Sequence, residues 1–371
     1  MEATPHTALT VVALGFVLAF VLGATAQRTH FCTLGAVSDW VNIGDTGRMR
    51  MWLLAIAVAM LGAQAMHAAG WVNLGRSIYT GSQFNWGGYL IGGLCFGAGM
   101  VLASGCGAKT LVRIGAGNLK SLVVLLVLGI SAAMTLRGLF GQWRLQWLQP
   151  LSIDLARWSL PTQDLPALLA GGAAAPALTI AVVVAVAGSI LAFVFSCPDF
   201  RRNREAIAGG LIVGLVVVAG WFVTGSLGYR ENPDTLEMTF YATNSRAAES
   251  FSFVAPVAYT LELLMMWTDR SLGLTFGIAA VLGMIAGSAS AALLTGSFRW
   301  ESFTSAADMR AHLLGGVLMG FGGVSAMGCT IGQGLSGLST LALGSFVTFG
   351  AIVAGAVATM RWQVWRLERA G

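Results

Sequence analysis

Apolar residues in this chain come in long unbroken blocks, not in alternation. Ser121 to Leu136, Ala177 to Phe195 and Ala206 to Val223 each approach or reach the roughly 20 residues that a helix needs to cross the hydrocarbon core of a bilayer. A transmembrane barrel would instead show alternating segments of about ten residues. The pattern therefore predicts an all-α polytopic membrane protein. Strong crossings are expected over 9–26, 51–69, 86–103 and 119–136, then over 206–223, 272–295, 312–327 and 342–360. A further crossing at 165–195 joins the two sets, which makes about nine full transmembrane helices.

Between these blocks lie four shorter pieces, 28–40, 104–117, 250–267 and 328–341, interrupted by Gly or Pro or flanked by polar residues. Such segments suit broken or re-entrant helices that line a cavity. Loops and interfacial helices are the plainer alternative.

The chain also repeats itself. Shifted by 223 positions, Gly92 to Cys106 falls on Gly315 to Cys329 with eight identities in fifteen, among them Gly92/Gly315, Gly99/Gly322, Gly105/Gly328 and Cys106/Cys329. Shifts of 220 to 221 place Phe31 on Phe251, Cys32 on Ser252, Val37 on Val257 and Gly62 on Gly283. This organisation reads as a first transmembrane repeat over 1–137, a periplasmic linker and connecting helix over 138–204, and a second repeat over 205–371. The second repeat carries a polar periplasmic insert at 225–249 holding Glu231, Asp234, Glu237 and Glu249. An even number of crossings per half plus one connector gives the halves opposite orientations, so the repeat is inverted.

Composition agrees with lipid as the solvent. Hydrophobic residues make up 56% of the chain and charged ones 10%, against about 25% charged in a soluble domain. Many of the 49 glycines sit inside apolar segments at small-xxx-small spacing, as in Gly93/Gly97 and Gly316/Gly320, which favours close helix packing. Ala24-Thr25-Ala26 resembles a signal-cleavage site, but no Lys or Arg precedes Arg28, and Arg28 onward belongs to the first repeat. With the N-terminus outside, fourteen of the 21 Lys and Arg fall inside and seven outside. The positive-inside rule then predicts a multi-pass protein of the bacterial inner membrane with a periplasmic N-terminus and a cytoplasmic C-terminus.

Candidate chemistry concentrates on cysteine. Cys32, Cys106 and Cys329 each stand at or near the start of a short segment, and two of them are repeat mates. No C-x-x-C pair occurs, so neither a disulfide framework nor a thioredoxin-type pair is indicated. An anion at mid-membrane must meet donors and positive potential. Four half-helix N-termini at about half a charge each would supply about two charges. A neutral thiol adds a weak S–H donor suited to a polarisable sulfur acceptor.

Lys109 and Arg113 follow Cys106 on one helical stripe, where they either attract the anion or snorkel to headgroups. In the mate segment Thr330 and Gln333 stand as neutral donors. Gly105 and Gly328 precede the two repeat-mate cysteines. Cys95 and Cys197 read as structural. For His30 and Asp39 a proton relay and an ordinary interfacial position are both open. No metal spacing is present, and no cofactor or nucleic-acid partner is expected.

At HFCTLGAVSDW, GGLCFGAGMVLASGCGAKT and GGVLMGFGGVSAMGCTIGQG the chain resembles the YeeE/YedE family of sulfur-compound transporters, whose studied members take up thiosulfate. The resemblance implies an hourglass-shaped protein with inverted repeats, in which three cysteines, here Cys32, Cys106 and Cys329, pass thiosulfate along through S–H···S hydrogen bonds. It implies as well a cytoplasmic TusA-like sulfur carrier as partner. The chain departs at Gly105 to Lys109, Gly-Cys-Gly-Ala-Lys, where thiosulfate-carrying members read Gly-Cys-Ala-Thr-Gly, so a related sulfur or selenium species stays open. The reading is thus a transporter importing a small sulfur-containing anion, not an enzyme. A membrane thiol enzyme (sulfurtransferase or thiol:quinone oxidoreductase) and a passive channel are the alternatives.

Overall fold

The computed structural model describes residues 3–233 and 235–369. Asp234, one of the four acidic residues of the insert, lies outside them.

Helices account for 72% of the chain. The first half runs α1 (Ala3–Arg28), α2 (Thr33–Ile43), α3 (Gly47–Ala68), α4 (Gly93–Leu102), α5 (Gly107–Gly115) and α6 (Leu119–Arg137). A π-helical turn, Gly88–Gly92, leads into α4. The connection holds α7 (Leu139–Trp143), α8 (Leu165–Ala170), α9 (Pro176–Phe195) and α10 (Pro198–Arg202). The second half runs α11 (Arg204–Phe222), α12 (Val254–Met265), α13 (Phe276–Leu294), α14 (Ala306–Ser325), a π-helical segment Gly332–Gly337 and α15 (Leu343–Glu368). Two small antiparallel ribbons, β1 (Gln83–Phe84) with β2 (Ile153–Asp154) and β3 (Tyr229–Glu231) with β4 (Met238–Phe240), are the strand pairs among the described residues.

Side-chain caps start several crossings where the apolar runs begin. Asn118 accepts from Ser121 N–H ahead of α6, Asn203 from Ala206 N–H ahead of α11, Thr275 from Ile278 N–H ahead of α13, and Ser305 from Asp308 N–H ahead of α14. Each satisfies one of the N–H groups a helix start leaves unpaired.

Eight segments are long and apolar enough to cross a membrane. α14 is as long as they are, but Asp308, Arg310 and His312 in its first two turns lower its apolarity. It is the repeat mate of the Gly88–Leu102 segment and packs beside it. The connector differs from the single crossing expected over 165–195. Gly171, with left-handed φ of 69°, ends α8, and Pro176 starts α9 afresh. The crossing expected from 272 begins at Phe276, after the Thr275 cap.

The inverted repeat is visible in the packing. A Cβ on Gly92 would lie 2.8 Å from the Gly322 carbonyl oxygen, and one on Gly99 would lie 2.7 Å from that of Gly315. Adding 223 to Gly92 and Gly99 gives Gly315 and Gly322, so the two contacts exchange under the repeat operation. α4 and α14 therefore cross antiparallel, backbone on backbone, at the pseudo-two-fold axis, and only glycine permits the approach. The same symmetry relates α4 on α15 to α14 on α6, and α1 on α13 to α11 on α3. In the last two pairs the first helix of each half packs on the third-placed helix of the other half, so the halves are interleaved.

Arg50 of α3 fixes the connector. Its guanidinium donates to the Phe193 carbonyl, to the Val194 carbonyl at 3.1 Å and to Ser196 Oγ at 3.0 Å, and lies over the Phe193 ring. These are carbonyls of the last turn of α9, where that of Phe193 also accepts from the Ser196 N–H and hydroxyl.

Candidate functional site: three cysteines between two vestibules

Four short helical elements begin near the centre of the bundle. Cys32 is the N-cap of α2, and its thiol accepts from Gly35 N–H at 3.4 Å. Cys106 is the N-cap of α5, with no side-chain cap bond. Cys329 precedes the turn that enters Gly332–Gly337, and its thiol accepts from Gly332 N–H at 3.4 Å. The fourth start, α12, follows Ser252, the repeat mate of Cys32.

A local device positions three of these starts. His30, Ser104 and Met327 have left-handed φ of 53°, 57° and 58°, each two residues ahead of a cysteine. Ser104 N–H bonds the Val101 carbonyl and Gly105 N–H the Met100 carbonyl, while Met327 and Gly328 repeat the pattern on Val324 and Gly323. This double bond closes the incoming helix and turns the chain, so that the next helix starts at the cysteine. Gly105 and Gly328 complete the turn, because a Cβ there would press on Lys109 and Gln333.

The elements bring the predicted residues together unequally. Cys106 and Cys329 are buried, and Cys32 is half-buried. Cys106 lies within electrostatic reach of both other thiols and faces the Thr330 hydroxyl. The contact does not meet hydrogen-bond geometry, so Thr330 Oγ1 is fully buried without a partner. Gln333 is engaged at both ends, donating to the Ala326 carbonyl and accepting from Ser345 Oγ at 2.6 Å. It braces the turn around Cys329. Lys109 borders both the gap beside Cys106 and the wider space beyond it. Asp39 pairs with Arg48 at 3.0 Å, which leaves it committed to structure. Cys95 and Cys197 lie away from these spaces, and all five cysteines are free thiols.

Two vestibules approach the cysteines from opposite ends. Beneath the 225–249 insert is a cavity of about 250 Å³ whose lining includes Tyr79, Arg144, Glu249, Ser252, Tyr259 and Gly328, the residue before Cys329. At the other end a cavity of about 430 Å³ is lined by Cys32, Lys109, Arg48, Arg113, His30 and Asp39. Adjoining the second cavity at Cys32 and Lys109 is a small gap of about 10 Å³, lined also by Cys106 and Ile331. That is room for about one water molecule.

Ser252, Tyr79, Arg144 and Glu249 were not singled out as site residues from sequence. Ser252 was signalled, because the repeat places it opposite Cys32. The Ser252 hydroxyl and the Tyr79 hydroxyl both crowd Gly332. Tyr79, Arg144 and Glu249 belong to connecting segments with no motif.

The sulphur-transport family profile matches residues 28–358. A thiosulfate transporter of Escherichia coli strain K12 is 26% identical over 364 residues, covering 95% of this chain and 94% of that protein. A second thiosulfate transporter, from Spirochaeta thermophila, is 26% identical over 367 residues, covering 95% of this chain and 98% of its own length. The resemblance first carried by the Gly-Cys motifs thus extends across the whole fold, and the chain belongs to the sulphur-transport family, a family of transporters and not of enzymes.

Proposed function

We propose that this protein imports thiosulfate, or a closely related sulfur anion, by handing it from Cys329 to Cys106 to Cys32. The observation that carries the reading is that three thiol-bearing helix starts come together in the bundle, with Gly328, the residue before Cys329, on one vestibule and Cys32 on the other. A dianion at that depth needs positive potential without a binding partner that holds it too long. The N-termini of α2, α5, α12 and the turn after Cys329 supply partial positive charge that stays fixed in place. The unpartnered Thr330 hydroxyl supplies a donor. Neutral thiols supply weak S–H donors to the terminal sulfur, so each stage binds loosely enough for the next to take over.

The insert then faces the periplasm and the Lys109 vestibule the cytoplasm of a bacterial inner membrane. The latter is where a sulfur carrier of the kind implied by the resemblance would meet the emerging anion. The division into repeats at 1–137 and 205–371, joined by 138–204, belongs to the same proposal.

The test is uptake of radiolabelled thiosulfate into proteoliposomes. Cys106→Ala and Cys329→Ala are each expected to reduce initial rates at least tenfold while purification yield and thermal stability stay at wild-type levels. Wild-type rates in both variants would end the relay. Side-by-side uptake of sulfate, sulfite and thiosulfate measures how far the terminal sulfur is recognised.

A further inference from the structure

Arg144 is out of place for a membrane-protein cation. It lies in the π-helical turn Arg144–Leu148 after α7 and lines the vestibule beneath the insert. Its Nε is buried with no hydrogen-bond partner, and its side chain enters no ion pair among the described residues. Most other basic residues bordering the protein's cavities are held. Arg48 pairs with Asp39, Arg28 with Glu205, and Arg113 donates to the Ser104 carbonyl. A partly buried cation without a counter-ion is costly, unless an exchangeable anion takes that place.

The surrounding wall is chemically suited to one. Tyr79, Tyr259 and Asn244 offer donors on the same cavity. Glu249 is the acidic group there, and it is not paired with Arg144. Its carboxylate accepts from Ser245 Oγ at 2.7 Å, and its backbone is tied to Thr224. The titratable groups facing Glu249 are Tyr259 on α12, Tyr79 on the segment before α4, and Arg144 across the cavity. Beyond Tyr259 lies the Arg137–Glu262 ion pair. The cavity reaches Ser252 and Gly328, the residue before Cys329.

We propose that Arg144 forms an outer anion-binding subsite, which takes a small divalent oxyanion from solution before it reaches Cys329, and that Glu249 opposes this binding when ionised. The proposal rests on the anion-import reading above. Burial pushes the Glu249 carboxyl up to about 7. Below that pH the wall is neutral and Arg144 acts alone. Above it the carboxylate lowers the local potential and weakens capture.

Uptake of radiolabelled thiosulfate into proteoliposomes separates the two levels. Arg144→Gln is expected to raise KM at least tenfold with the maximal rate within twofold of wild type, and Arg144→Lys to recover most of the loss. The wild-type KM is expected to rise several-fold from pH 6 to pH 8, and Glu249→Gln to remove that dependence. A KM unchanged in Arg144→Gln, or a pH profile unchanged in Glu249→Gln, overturns the corresponding half. A wild-type protein that moves no thiosulfate would instead overturn the import reading. Calorimetric titration of detergent-purified protein with thiosulfate and with sulfate then tests the subsite alone, and equal binding by wild type and Arg144→Gln would end it.

Discussion

His30, Ser104 and Met327 hold a backbone conformation that L-residues adopt at a penalty of roughly 1–2 kcal/mol, yet glycine occupies none of these positions. Their common place two residues before a cysteine shows what the conformation achieves: it ends one helix and starts the next at the cysteine. Ser104 allows the cleanest test, because its side chain is exposed and its two bonds, to the Val101 carbonyl and from Arg113, are made by the backbone. Ser104→Gly is expected to hold or slightly raise the melting temperature, since relief of the left-handed conformation offsets the added freedom of the unfolded chain. Ser104→Val places a β-branched residue at φ of 57° and is expected to cost about 1–2 kcal/mol, read as a lower melting temperature. At this scale the cysteines were legible in the sequence, because two of them repeat with their glycines. The turn was not, since His, Ser and Met share no chemistry that marks a left-handed residue. The sequence marks Gln333 only as a neutral donor, and the bonds that engage both its ends come from Ala326 and from Ser345 on α15.

Among the elements, α9 is the least embedded of the spans, with 17% of its apolar window buried. A helix so exposed to lipid gains little from packing, and its attachment depends on a few polar bonds. Arg50 supplies them at its C-terminal end. Arg50→Met keeps the apolar stem and removes the charged donor from the Phe193 and Val194 carbonyls and from Ser196 Oγ. The expected loss is about 2–3 kcal/mol, typical of hydrogen bonds to a charged group, seen as a lower melting temperature and faster tryptic cleavage at Arg201 and Arg202. An unchanged melting temperature and cleavage rate would show that α9 is held by lipid and α3 packing alone. The crossings themselves were readable from apolar length. The division of 165–195 into two helices turns on Gly171, whose left-handed geometry a hydropathy pattern does not register. The interleaving of α1 with α13 and α11 with α3 was beyond reach as well, because small residues announce close packing without naming the partner.

Across the whole molecule, side-chain contacts sort the charges into two ends. Arg76 meets Tyr229, Arg137 meets Glu262, and Arg144 shares a cavity with Glu249, all on the side of the insert. Arg28 meets Glu205, Arg48 meets Asp39, and Lys120 meets Asp308, all at the opposite side. These are the same two groups that the count of fourteen against seven assigns to the cytoplasmic and periplasmic faces, so the fold keeps each group together on one surface. Orientation is then a single binary question about the assembled protein. Asn42, exposed at the end of α2, and Ser271, exposed between α12 and α13, report on the two faces. In Asn42→Cys and Ser271→Cys variants, a bulky membrane-impermeant maleimide is expected to add label over the parent protein at Ser271→Cys in intact spheroplasts. Added label at Asn42→Cys is expected only after lysis. The opposite result would place Lys109 and Arg113 outside, make the basic vestibule the point of anion capture, and reverse the order of the cysteines along the path. The vestibule holding Arg144 would then be the exit, where an unpaired cation would delay release.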